Sequence, residues 1–115
     1  MLFMSENVAN NHIALKEDPP SEYVSVIQGE LSSCPDVIAA FLLYFRQGDD
    51  LVLTLAVDLL PDAKLKARQE LIIALNTRLK LFPQAAHGAR VITLSAENRD
   101  AIEEQGLKIY RKRGS

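Results

Sequence analysis

VIAAFLLYFRQGDDLVLTLAV, residues 37–57, is the stretch of this sequence that decides the fold. Two apolar runs, Asp36 to Gln47 and Leu51 to Val57, lie on either side of the turn signal Gly48-Asp49-Asp50. This pattern predicts two strands joined by a tight turn. Alternate positions of the first run are apolar on both sides of the strand, so we expect a central hairpin that is buried on both faces.

Helical patterns lie before and after this hairpin. A helix is expected from Ser21 to Ser32, after the helix-breaking Pro19-Pro20 and before Cys34-Pro35. A longer helix is expected from Pro61 to about Phe82, with most of its apolar residues within an arc of roughly 120°. We expect both helices to pack on one face of the sheet, through Tyr23, Ile27, Leu31, Leu65, Leu71, Ile72, Leu75, Leu79 and Phe82.

The remaining segments complete an α+β pattern. Short strands are expected at His12 to Lys16, Arg90 to Leu94 and Leu107 to Arg113, with a helix over 96–105 capped by Ser95. The order is a possible strand followed by αββαβαβ, which predicts a mixed sheet with a central antiparallel hairpin and helices mainly on one face. Residues 1–11 are expected to form a loose arm before a single domain, 12–115.

Two glycines carry expectations of their own. Gly29 lies inside the first helix, where glycine costs up to about 1 kcal/mol relative to alanine, so we expect a neighbour packed closely against it. Gly106 follows the last helix and is expected to end it.

Composition restricts the classes of partner. The 115 residues carry 13 basic and 15 acidic side chains, a net charge of −2, which does not favour nucleic acid or an anionic membrane surface as a partner. The longest uncharged apolar run, 37–45, is too short to cross a bilayer. A single cysteine, Cys34, fits a reducing compartment, and we expect a cytoplasmic protein.

No residue pattern indicates catalysis. His12 and His87 have no neighbouring ligands at metal-binding spacing, and the glycines do not form a phosphate-binding loop. Cys34 lies at a helix C-terminus, where the thiolate is not favoured. We therefore expect no enzyme activity, no cofactor and no metal site.

The sequence resembles the C-terminal domain of the SseB ("enhanced serine sensitivity") proteins. The resemblance is carried by Pro20-Ser21-Glu22-Tyr23 at a helix start, by Cys34-Pro35-Asp36-Val37 before an Ala-aromatic-Leu strand, and by the final Leu107 to Arg113. It implies a bacterial cytosolic protein with an α+β fold and no established reaction, whose domain usually follows a separate N-terminal SseB domain.

Two functions follow as expectations. The favoured one is a non-catalytic module that associates with itself, as a dimer, or with another protein, since helices on one sheet face leave apolar residues of the other uncovered. The alternative is a small-molecule sensor, perhaps for an amino acid, using Arg68 and Asp58. The expected interface is Ile38, Ala40, Leu42, Tyr44, Val52 and Ala56, and possible contacts to a partner or an anion are Arg68, Arg111, Lys112 and Arg113.

Overall fold

The computed structural model describes residues 11–112, which form five strands and three helices. The predicted α+β class and order of elements are confirmed, and the predicted arm, 1–11, lies almost wholly outside the described residues. The elements are β1 (His12–Ile13), α1 (Ser21–Ser32), β2 (Val37–Gln47), β3 (Asp50–Leu59), α2 (Leu65–Leu79), β4 (Ala89–Thr93), α3 (Arg99–Gln105) and β5 (Leu107–Arg111), with a 3-10 turn at Pro83–Ala85.

Strand β2 is the centre of one mixed sheet. On one side it pairs antiparallel with β3 along nearly its whole length, and β3 pairs parallel with β4. On its other side β2 pairs antiparallel with β1 near one end and with β5 near the other. The sheet therefore has β4 at one edge, and β1 and β5 share the opposite edge.

The predicted hairpin is confirmed, and its turn sets the register of the two longest strands. Gln47 lies opposite Asp50, and Gly48 has a φ of 64°, the left-handed conformation that a two-residue hairpin turn favours at its first position. This register places Leu42 opposite Leu55. Cross-strand partners share a sheet face, so these two leucines lie on the same side.

Helices α1 and α2 lie on one face of the sheet, as expected, but they cover the face that contains Leu42, which was expected to be uncovered. The main core contains Leu42 and Leu55, both with 0% exposure, together with helix residues of the predicted stripes. The bounds of α1 match the prediction, whereas α2 begins at Leu65 and not at Pro61, because Lys64 is extended with a ψ of 141°. Leu65 consequently lies outside the core, 64% exposed.

The opposite face is covered in part by α3. Ile102 of this helix is fully buried against Phe41 and Ala56 in a second apolar cluster. The helix is shorter than predicted, because residues 96–98 form a turn, and Ser95 does not cap it with its side chain. The backbone N–H of Ser95 instead donates to Oδ1 of Asn98, at 2.7 Å.

The two glycines behave differently from their predictions. A Cβ at Gly29 would meet no atom within 4 Å, so the expected close packing is wrong. Gly106 ends α3 as predicted, but its φ is −82°, which any residue adopts. A Cβ there would lie 2.8 Å from Cβ of Phe41, so Gly106 is needed because helix and strand approach closely.

The helices are all short. The longest within residues 11–112, α2, has 15 residues, and no helix in that range is long and apolar enough to span a bilayer.

Candidate functional site

The six residues expected to form one uncovered face are divided between two faces. Ala40, Leu42 and Tyr44 point toward α1 and α2, whereas Ile38 and Ala56 belong to the cluster around α3. Val52 alternates with Leu53 and so lies on the α3 side, 7% exposed. The prediction of one shared face is therefore wrong.

Two physical causes explain this error. An irregularity between Val37 and Ala39 shifts the alternation of β2 by one residue. The hairpin register also pairs Leu42 with Leu55 and Phe41 with Ala56, so Leu42 and Ala56 cannot share a face. Ala40 and Leu42 are fully buried inside the single chain and offer no surface to a partner.

Of the four basic residues singled out from the sequence, the three that the structure describes lie on α2 or at the end of β5. Arg68 lies on α2, and its buried Nε has no hydrogen-bond partner within the described part of the chain. Arg111 is exposed at the end of β5, and Nζ of Lys112 donates to the backbone oxygen of Pro35, at 2.7 Å. Arg113 lies outside the described residues. The three described side chains do not form one anion-binding site.

The amino-acid binding site predicted to use Arg68 and Asp58 is not formed either. Asp58 accepts two hydrogen bonds from Arg99 of α3, each 3.0 Å long, on the sheet face opposite α2. Arg68 belongs to α2, on the other side of the sheet. The two charges therefore cannot hold one small molecule together.

Two concave regions of the described chain are bordered by titratable side chains. A groove of about 410 Å³ between α1 and α2 is bordered by Glu30, Glu70 and the partly exposed Cys34. A smaller cleft of about 280 Å³ contains Glu17 and Tyr44. Burial, and next the Glu17 carboxylate, raise the pKa of Tyr44, so its hydroxyl stays protonated. Within residues 11–112, no cluster of three or more His, Cys, Asp or Glu side chains could hold a metal ion.

The edge formed by β5 is protected against pairing with another strand. The pairing of β5 with β2 is irregular next to Ile109, and the carbonyl oxygen of Ile109 accepts a hydrogen bond of 2.7 Å from the Gln28 side chain. Arg111 adds an exposed positive charge to the same short strand, and Lys108 adds a second one, with its Nζ 5.6 Å from the centroid of the Phe41 ring. Irregular strand pairing, a carbonyl oxygen that already accepts a hydrogen bond, and a lysine on the strand all disfavour edge-to-edge association.

The opposite edge, β4, has a row of outward backbone groups, of which the Thr93 carbonyl oxygen accepts a 3.3 Å hydrogen bond from Nδ2 of Asn98. The N–H of Leu53 donates to Gly88 and the N–H of Leu94 donates to Val57, both at 3.0 Å. The backbone groups of alternate strand residues face the same neighbouring strand, so Arg90 and Ile92 face β3, like Gly88 and Leu94. The N–H and C=O of Val91 therefore point away from β3. Among the described residues, no strand pairs with this outer side of β4. We call it the β4 edge, residues Ala89–Thr93.

The side chains of the β4 edge are nearly uncharged. All five residues are partly exposed, and Val91 and Ile92 present apolar groups to opposite faces of the sheet. The one charged residue, Arg90, lies over the ring of Phe45, with its guanidinium carbon 4.2 Å from the ring centroid. This cation–π contact holds the charge on the protein's own surface.

One flank of α2 lies beside this edge. Ala67 and Ala74 line the groove facing α1, and at 100° per residue Leu65, Ile72 and Asn76 lie on the opposite flank, beside β4. Ile72 is partly exposed, and Oδ1 of Asn76 is buried without a donor among the described residues. The apolar surface therefore continues from strand to helix.

Comparisons with protein-family models, with curated proteins and with solved structures found no match to this chain. The β4 edge is therefore supported by its geometry alone. Sequence reasoning missed the β4 edge, although one signal was available: the 90–94 segment follows a crossover helix and contains a single charge.

Proposed function

We propose that this protein is a non-catalytic self-association module in which the β4 edges of two copies pair antiparallel. The observation that carries the proposal is the row of backbone groups along Ala89–Thr93 with which no described strand pairs, flanked by half-exposed apolar side chains. An unprotected edge strand is a template for pairing with another chain. The contrast with the protected β5 edge of the same sheet supports the choice of β4.

The β4 edge is complementary to itself. A two-fold axis through Val91 would pair Val91 with its own copy and Ala89 with Thr93, giving about six backbone hydrogen bonds. Arg90 would lie opposite Ile92, not opposite another arginine. Like charges directly across a strand pair are destabilising, so this register avoids the main electrostatic cost.

Two further features favour a binding role over chemistry. Neither of the two clefts described above is lined by a histidine or a lysine, and the resemblance to the SseB C-terminal domain also implies no established reaction. From that resemblance and the single Cys34 we infer a bacterial, cytoplasmic setting. The alternative of an amino-acid sensor is less well supported, because Arg68 and Asp58 lie on opposite sides of the sheet.

The proposal is tested by replacing Val91 and measuring the oligomeric state. Val91→Lys places two ammonium groups on the symmetry axis, and Val91→Pro removes an outward N–H that β3 does not use. Both variants should be folded monomers by circular dichroism and light scattering, under conditions in which the wild-type protein is a dimer. Val26→Lys, at a helix position 45% exposed, is the matched control and should leave the dimer intact.

Two results would overturn the proposal. A wild-type protein that stays monomeric from micromolar to millimolar concentration does not associate through β4. A dimer that survives both Val91→Lys and Val91→Pro associates through some other surface.

A further inference from the structure

We propose that the two copies of α2 pack against each other across the same two-fold axis, through Leu65, Ile72 and Ile73. This inference rests on the proposed pairing of β4, and it adds a helical contact to the strand contact. The joined protein would then have one continuous sheet covered on one face by four helices.

The spacing of the elements favours this contact. Neighbouring strands lie about 4.8 Å apart, and α2 lies over β3 and β4, since its buried leucines contact β3 residues and its flank contacts β4. Pairing of two β4 edges would place a second α2 two strand spacings away, at about 10 Å. Packed helices are separated by about 8–10 Å.

The chemistry of the flank matches such a contact. Ile73 and Leu65 are the two most exposed large apolar side chains in the described residues, at 67% and 64%. Gln69 lies between Leu65 and Ile73, on the solvent side of the flank, and Asn76 lies one turn beyond Ile72. These flank residues are uncharged, and the charged Lys80 follows one turn after Asn76. Burial of the apolar side chains of this flank against a second copy would stabilise the dimer.

The symmetry brings particular residues together. The proposed axis passes α2 at its midpoint, residue 72, and this would place Ile72 and Ile73 near their own copies. Antiparallel helices then bring Gln69 of one copy next to Asn76 of the other, and two side-chain amides can bond to each other. Leu65 would lie beside the aliphatic stem of Lys80, a side chain that can keep its charge in water.

The test is thiol cross-linking in the full chain. In a Cys34→Ser background, Ile73→Cys should be linked to its own copy by a short bifunctional maleimide, giving a covalent dimer on a denaturing gel. Glu70→Cys is the matched control, because Glu70 is exposed but lies on the flank facing α1, and it should remain unlinked. Ile73→Asp should also weaken dimerisation about tenfold or more, whereas Thr77→Asp should not.

The outcomes separate the two proposals. If the wild type dimerises and Val91→Lys dissociates it, but Ile73→Cys links no better than Glu70→Cys, the helix contact is overturned and strand pairing stands. If the wild type is monomeric at every concentration, the strand pairing and the helix contact are both overturned. Preferential linking at residue 73, lost when Val91→Lys is added, supports both.

Discussion

The guanidinium of Arg99, on α3, donates to both carboxylate oxygens of Asp58, near the end of β3, at 3.0 Å each. The hydrogen bond to Asp58 is the main cause that raises the pKa of Arg99 above its usual value. Glu103, one turn along the helix, lies 3.6 Å from the same guanidinium. The pair ties the short helix α3 to the second face of the sheet.

We expect Arg99→Ala to lower the free energy of unfolding by about 1–2 kcal/mol. The reason is that Asp58, whose side chain is 14% exposed, would lose both hydrogen bonds that it accepts from Arg99. Urea denaturation followed by circular dichroism measures the change. Arg78→Ala is the control: its 3.6 Å contact with Glu30 is more exposed and should contribute about 0.5 kcal/mol or less. Equal effects of the two substitutions would contradict this prediction.

Two glycine-to-alanine substitutions should change stability in opposite directions. Gly106→Ala should destabilise the protein by about 1–3 kcal/mol, because the new methyl group would lie 2.8 Å from Cβ of Phe41, which the backbone holds in place. Gly29→Ala should stabilise it by up to about 1 kcal/mol, since its Cβ enters open space in α1. Thermal denaturation of both variants gives the answer, and a stabilising Gly106→Ala would refute the close approach.

Leu42→Arg should unfold the subunit and not merely separate two subunits. Leu42 has no exposed surface and packs under α1 and α2, so a guanidinium there would be buried without a partner. We expect a loss of more than about 4 kcal/mol, a large part of the stability of a domain this size. The melting temperature should fall at every protein concentration. A folded, monomeric Leu42→Arg would show that the residue is at a surface after all.

Alkaline pH should destabilise the fold through Tyr44. Its raised pKa means that the folded state disfavours tyrosinate, so the stability is complete below the unfolded value of about 10 and is lost as pH rises through the folded pKa. Tyr44→Phe should reduce this alkaline loss in urea titrations, whereas Tyr110→Phe, the control, should not. Glu17→Gln should lower the pKa of Tyr44 only partway, because burial is the larger cause.

Local sequence signals predicted the elements well. The Pro19-Pro20 breaker fixed the start of α1 at Ser21, and the Gly48-Asp49-Asp50 turn fixed the central hairpin. Such signals act over a few residues, through backbone conformation and turn chemistry, so a single sequence carries them.

Tertiary features were harder to predict. The irregularity next to Ala39, which has no local signature, moves Ile38 to the face opposite Leu42. The face of Leu42 was also expected to be uncovered, whereas α1 and α2 pack on it. The Arg99–Asp58 pair joins residues 41 positions apart, and the free edge of β4 depends on the order of all the strands. These properties arise from contacts distant along the chain, which periodicity does not reveal.

The arrangement of β1 and β5 along one side of β2 has a mechanical consequence. Residue 12 lies opposite Phe45 and Arg111 lies opposite Ala39, so the two ends of the described chain are attached near opposite ends of a single strand. Tension that separates those ends pulls β1 and β5 lengthwise along β2. Their hydrogen bonds then share the load simultaneously in shear, and do not open one after another. If this domain lies between other parts of a longer polypeptide, it would transmit force through β2 while the sheet remains intact.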